Sequence, residues 1–307
     1  MSEKIVLVVG ATGQQGGTAT SHLLAEGWTV HALTRDTSSA VSRRLADSGA
    51  HPVWGDMDDV DSLIAAMSGV HGVFSVQPTV GSPGTAADFS AEDEVRWGKN
   101  VADAASRAGV GHFLFTSISG ADRPTRLRPA NLDSKWAIEQ HVRSLRLPAT
   151  ILRPVSFMEN YTGGYYLHGG GLTTALEPHV PQQIIAVDDV GVFAALVLAD
   201  PQQYVGQALE IAGDELTPVQ IAAAIKKATG RSVPYLQLPL EVLRGLSPAA
   251  AIANEWLNER GYQADIPAVR ALHPGLLDFD TWLAKDGAAK ISEYLAAQPT
   301  EDQESGA

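Results

Sequence analysis

Glycines at 10, 13, 16 and 17, an arginine at 35 and a lysine at 135 are the residues of this sequence whose types and spacing could do chemistry. The run Gly10, Thr12, Gly13, Gln14, Gln15, Gly16 follows five consecutive apolar residues, Ile5 to Val9, and precedes a helical pattern with Ala19, Leu23 and Leu24 on one face. Glycines permit a tight turn and a close approach of backbone to a ligand. A buried strand, a glycine-rich turn and a helix in that order present free backbone N–H groups and a positive helix end to a pyrophosphate. A turn with several glycines is weak on its own; this strand-to-helix context near the N-terminus is what makes it a dinucleotide site.

The end of the second strand sets the choice of dinucleotide. An acid there, about 20 residues after the glycines, would bind the ribose 2′-hydroxyl of NAD. This chain has Thr34 and Arg35, and a guanidinium can bind a 2′-phosphate bidentately. Ser38 and Ser39 can add hydroxyl donors, whereas Asp36 is read as a cap for the next helix. The spacing therefore predicts NADP(H); the plain alternative is a solvated Arg35. Asp56 and Met57, after strand three, suit the adenine, or Asp56 only starts a turn. Val76, Gln77 and Pro78, at the end of strand four, should pass close to the ribose or nicotinamide.

Lys135 lies one turn before Ile138 on the stripe Ile138, Val142, Leu145, so it faces inward. Read as a first-turn residue, it sets a cation against the helix macrodipole. That placement suggests hydrogen bonds to cofactor ribose hydroxyls and proton delivery; the alternative is a snorkelling lysine. Ser117, at the end of strand five, is the second catalytic candidate, or a hydroxyl that caps backbone. The nine histidines show no metal spacing, so no metal is expected, and neither a nucleophile elbow nor a P-loop is present.

The elements that must position these residues alternate. Strands are expected at 5–9, 29–34, 51–54, 72–76, 112–117 and 149–153, with helices at 38–48, from Asp58 or Asp59, from Ser90 or Ala91 to Ala108 and at 132–146. Glycines at 49, 69 and 109 close three of those helices. This alternation predicts an α/β chain with a doubly wound parallel sheet, ligands at the carboxyl ends of its strands. Long loops fall at 78–88 and 119–130. Further on, 184–187 reads as extended, Asp188 or Asp189 as a cap, 208–212 as a strand, Thr217 and Pro218 as a helix start, and 240–290 as mostly helical.

Of 307 residues 45% are apolar, enough for one large core or two smaller ones, and the net charge is −13. That balance disfavours direct nucleic-acid binding. Without cysteine there can be no disulfide, zinc-thiolate site or thiol nucleophile, which fits a cytoplasmic protein. No apolar run is long enough for a signal peptide or membrane span. The tail 298–307 is polar and expected to be disordered.

The residues resemble the NmrA-like branch of the atypical short-chain dehydrogenases/reductases. The resemblance rests on Gly10-Ala-Thr-Gly-Gln-Gln-Gly-Gly, Thr34-Arg35, Gly55-Asp56, Asp133-Ser-Lys135-Trp-Ala-Ile-Glu139 and Arg153-Pro-Val-Ser-Phe157-Met-Glu-Asn160. Val187-Asp-Asp189-Val, Tyr204-Val-Gly-Gln207 and the stretch from Tyr262 to Trp282 extend it over nearly the whole chain. It implies an NAD(P)-binding Rossmann domain over 1–153, with 184–212 returning to it. A smaller, mostly helical α/β lobe over 154–183 and 213–297 would meet substrate or partner. It also implies NADP(H) as cofactor, with Pro154 and Phe157 among the binding residues. Reductases of the wider superfamily pair a Tyr with the Lys four positions later; here that position is Asn131. Relatives of this kind imply two functions. One is an NADPH-dependent oxidoreductase acting on a quinone or similar electron-poor small molecule; the other is a non-catalytic NADP(H) redox sensor with a regulatory protein partner. A homodimer is compatible with either.

Overall fold

A computed structural model describes residues 4–80, 85–259 and 261–298. The chain divides into two compact units, the first made of Met1–Pro154 and Val187–Ile211, the second of Val155–Ala186 and Ala212–Ala307.

The first unit is built on seven strands: β1 (Ile5–Val9), β2 (Thr29–Thr34), β3 (His51–Trp54), β4 (Gly72–Ser75), β5 (His112–Thr116), β6 (Ala149–Pro154) and β7 (Ala208–Ile211). All neighbours are parallel, in the order β7-β6-β5-β4-β1-β2-β3. Its longer helices are α1 (Gln14–Ala25), α2 (Ala40–Asp47), α3 (Val60–Ala66), α4 (Ala91–Ala108), α5 (Ala130–Ser144) and α6 (Val187–Ala199). The sheet order reverses between β1 and β4, so a crevice opens there beyond the strand ends. The predicted doubly wound parallel sheet is what the chain forms.

Local chemistry fixes the ends. Asp59 caps α3 by accepting from the Asp61 and Ser62 amides. Ser90 and Asp93 form a reciprocal capping box on α4, which Gly109 closes in the left-handed conformation (φ 69°). Three helix starts differ from expectation. Ser39, not Asp36, caps α2, accepting from the Ser42 amide. α5 begins at Ala130 behind Pro129, so Lys135 stands in its second turn. The macrodipole is felt mainly in the first turn, so that part of the case for Lys135 falls away. α6 starts at Val187, so Asp188 and Asp189 lie inside its first turn, and Asp188 meets His22 Nε2 on α1 at 2.8 Å. The core of this unit packs Leu7, Leu63, Met67 and Val101 with Phe113, Phe115, Ile138 and Val142.

One buried polar group in this core has a pH consequence. Thr150 Oγ1 donates to the Tyr204 carbonyl at 2.7 Å, so it accepts from His112 Nε2, 2.8 Å away. His112 Nδ1 is left buried without a partner among the described residues. Burial pushes this imidazole down to about 4, so it is neutral in the fold and protonates near 6.5 once unfolded. Its contribution is complete above pH 6.5 and is lost as pH falls toward 4, with a ceiling of about 1.4 kcal/mol per pH unit. Urea unfolding at pH 7 and pH 5 should therefore show a larger drop for the wild type than for His112→Phe; equal drops overturn this account.

The second unit has two small sheets, each of three strands. Its core joins Met158, Tyr161, Ile184 and Ile225 to Phe279, Trp282 and Ile291. Thr217 and Gln220 form a capping box on the helix Pro218–Thr229, with Pro218 at its first position. Helices then follow over Leu240–Leu246, Pro248–Glu259, Ile266–Leu272 and Ala288–Ala297. The expected tail lies outside the described residues, apart from Gln298. Among the described residues no helix is long and apolar enough to cross a membrane.

Candidate functional site

The glycine turn leaves β1 at Gly10, whose φ of 80° suits only glycine. A Cβ at Gly10 would stand 2.7 Å from Val76 Cγ1 and 2.9 Å from the Val76 carbonyl oxygen, so the turn is packed against the end of β4 at the crevice. A Cβ at Gly16 would come 2.1 Å from the Gly10 carbonyl oxygen; helix and turn are in backbone contact there. The Gly13 amide closes the turn on that carbonyl at 2.9 Å. Gly13 is the N-cap of α1 with no side-chain cap, and no acid lies in the first turn. Thr12, Gly13 and Gln14 are exposed, and Gln15 Oε1 has no partner among the described residues. The first amides of α1 are thus free to meet an anion, and the helix dipole favours one.

At the end of β2, Arg35 is exposed and makes no hydrogen bond or ion pair with any described residue, while Thr34 Oγ1 bonds the backbone of Asp36 at 3.2 Å. Ser38 donates its hydroxyl hydrogen to Asp36 Oδ1 at 2.6 Å and its amide to the same oxygen at 2.8 Å. Those two bonds, the hydroxyl first, hold the Asp36 carboxyl below its ordinary value. A serine has one hydroxyl hydrogen, so as it stands Ser38 is not the free donor the spacing suggested. Arg43, which the sequence reading passed over, reaches the Ser38 carbonyl at 2.9 Å and brings a second cation to this loop. Asp56 Oδ1 accepts from the Asp58 amide at 3.0 Å, and Met57 packs on the core of the unit, its carbonyl bonded to Asn100. Gln77 is 3% exposed. Its Nε2 bonds Ser75 Oγ at 2.9 Å and its Oε1 has no partner among the described residues. Pro78 is half-buried beside it.

Lys135 is buried, as its stripe requires, and its Nζ meets Glu94 Oε1 on α4 at 2.7 Å. Ser117 is buried too, but its hydroxyl donates to Glu139 Oε1 at 2.6 Å. Glu139 is completely buried and takes two bonds from Arg153, at 2.9 and 2.7 Å. Arg153 also bonds Asp122 at 2.7 Å, and Glu210 gathers Arg123, Ser119 and the Gly120 amide. Burial opposes the charge on Arg153, but Glu139 and then Asp122 outweigh it and raise the guanidinium further. Ser117 is therefore built into a carboxylate–guanidinium network under residues 119–130. Pro154 ends β6 in this unit, whereas Phe157 belongs to the second unit, half-buried in the short strand Ser156–Phe157. Among the described residues no cluster could hold a metal ion.

Parallel strands in this order, reversing beside a glycine turn and an uncapped helix, define a Rossmann-type fold. The chain belongs to the NmrA-like family, whose model matches residues 2–281. It is 29% identical over 247 residues to an NAD(P)H azoreductase from Xenophilus azovorans, covering 77% of this chain and 78% of that one. Among solved structures it superimposes on an NADPH-dependent quinone oxidoreductase from Escherichia coli complexed with NADPH (TM-score 0.75, 23% identity, 91% of this chain and 98% of that one). It also superimposes on NmrA, a negative transcriptional regulator, in complex with NADP (TM-score 0.75, 23% identity, 97% and 99%).

Proposed function

We propose that this protein binds NADP(H) through its first unit and is an NADPH-dependent oxidoreductase for a quinone or similar small, electron-poor acceptor. The observation that carries the reading is the glycine turn at the β1–β4 reversal, where the first amides of α1 carry no cap and a side chain at Gly10 or Gly16 would collide with Val76 or the Gly10 carbonyl, so that only glycines close the turn this tightly. The residues fit the group. Gly10, Thr12, Gly13, Gln14, Gln15 and Gly16 hold the pyrophosphate; Thr34, Arg35 and Ser38 border the 2′-phosphate; Asp56 and Met57 border the adenine. Val76, Gln77 and Pro78 line the ribose–nicotinamide side, where Lys135 supplies ammonium N–H groups to ribose hydroxyls. Pro154 and Phe157 enter on the family motif, and Ser117 acts by holding Glu139. The cofactor supplies the hydride. A delocalised acceptor suits this chain, because Asn131 stands where the wider superfamily has its tyrosine and Lys135 is engaged by Glu94.

That same engagement favours a second reading, a non-catalytic NADP(H) sensor with a protein partner. Loop 119–130 is then a poor moving part, because Glu210 on β7 holds Ser119, the Gly120 amide and Arg123, and Arg153 on β6 holds Asp122. The other candidate, loop 78–88, includes residues 81–84, outside the described residues. In either reading the second unit meets substrate or partner, the location is cytoplasmic, and a homodimer is compatible. NADPH oxidation against quinones, azo dyes and simple carbonyl compounds separates the two. Turnover of quinones or azo dyes supports the enzyme; NADPH binding without turnover of any compound supports the sensor.

Cofactor choice has its own test. Arg35→Ala should weaken NADPH by about 1.5–3 kcal/mol in calorimetry, the range for a charged hydrogen bond, and leave NADH nearly unchanged. Equal weakening of both would remove Arg35 from the 2′-phosphate.

A further inference from the structure

The ammonium of Lys135 has three hydrogens to donate. Lys135 is 5% exposed, its Nζ lies 5.7 Å over the Phe115 ring, and its one polar contact among the described residues is Glu94 at 2.7 Å. Glu94 is 1% exposed. Its Oε2 accepts from Ser134 at 2.7 Å and its Oε1 from Thr79 at 3.0 Å as well as from the lysine. The carboxylate thus has three donors, while among the described residues the ammonium has one acceptor and two further N–H groups.

The meeting of the two charges is built into helix packing. Gly98 lies one turn after Glu94 on α4, and Ile138 one turn after Lys135 on α5. A Cβ at Gly98 would lie 2.5 Å from Ile138 Cδ1 and 2.9 Å from Ile138 Cγ2, so the helices touch where a side chain is missing. Glu94 shares the buried stripe of α4 with Gly98, Val101 and Ala105. An acid on an apolar stripe was the available sequence signal, masked because an acid early in a helix already has a reason in the dipole.

We propose that Glu94 is the positioning residue of this site: it takes one hydrogen of the buried Lys135 ammonium and fixes the other two toward the hydroxyls of the nicotinamide ribose. This rests on the cofactor reading above. Glu94 touches neither cofactor nor substrate; it acts through Lys135. A buried ammonium without its counter-charge is disfavoured, and a flexible four-carbon stem then has no fixed direction.

The test uses the full chain and two probes, NADPH and adenosine 2′,5′-bisphosphate, which carries the Arg35 end of the cofactor and lacks the nicotinamide ribose. Glu94→Gln is nearly isosteric and removes the charge. Calorimetry should show NADPH weakened at least tenfold and the bisphosphate unchanged within twofold, which also certifies a folded first unit. In the Lys135→Met background, Glu94→Gln should add nothing to the loss, because residues that act as a pair are not additive. A purely structural role for Glu94 would weaken both probes together. Equal loss for both probes, no loss for either, or full additivity with Lys135→Met overturns the assignment to Glu94 while the cofactor reading stands. Failure of the wild type to bind either probe overturns the cofactor reading and this inference with it.

Discussion

Gly13→Val abolishes measurable NADPH binding, a loss of at least a hundredfold or about 2.7 kcal/mol, and leaves a folded protein. The two halves of that expectation have separate causes. Gly13 has φ −93° and ψ 177°, extended backbone that valine adopts readily. A Cβ there meets only the Gly10 carbonyl oxygen, at 3.4 Å, so the fold has room for it. The branched side chain would stand at the mouth of α1, where the pyrophosphate must reach the helix amides. Gly16→Ala is the contrast: its Cβ would sit 2.1 Å from a backbone oxygen, so the turn itself must open and the melting temperature falls with the affinity. Circular dichroism and calorimetry on both variants separate the effects. Retained micromolar binding by folded Gly13→Val would put the pyrophosphate elsewhere.

Arg153→Met should destabilise the first unit by up to about 3–5 kcal/mol, because it leaves a fully buried carboxylate, Glu139, with the Ser117 hydroxyl and a more distant, half-exposed guanidinium, Arg143 at 3.7 Å. In a unit of this size that lowers Tm by roughly 10 °C. The double variant Arg153→Met with Glu139→Leu should recover much of the loss, since replacing both buried charges by apolar groups removes the unpaired ion. A single variant that melts within 2 °C of wild type, by roughly the same scale, would mean that water or a shifted side chain takes up the charge. If the double variant is instead worse than the single, the network matters for more than mutual neutralisation.

The parallel sheet could be read from the chain because its cause is local: unalternated Val, Ile and Leu between glycines that end helices. The cap at Thr217 follows from short-range hydrogen bonds and was legible too, as was the cap of α3 down to the choice between Asp58 and Asp59. The start of α5 was not, since Pro129 caps it without any side-chain bond. Nor could Asp188 be told from a cap, because its partner, His22, is on α1. In the candidate site, the inward side of Lys135 followed from its spacing to Ile138, which a helix enforces. The bonds of Ser117 and Lys135 did not follow, because Glu139, Arg153 and Glu94 reach them across elements and no period in the sequence encodes such a meeting.

Gly98 also acts as a gauge. Ordinary carbon contacts are about 3.5–4.0 Å, so a single methyl group at that position is a shim roughly 1 Å thick between α4 and α5. One turn away, the 2.7 Å between Lys135 and Glu94 would open beyond hydrogen-bond range. The alignment of the amine is therefore machined by a residue with no chemistry of its own, and its tolerance is narrower than the smallest side chain that could be inserted.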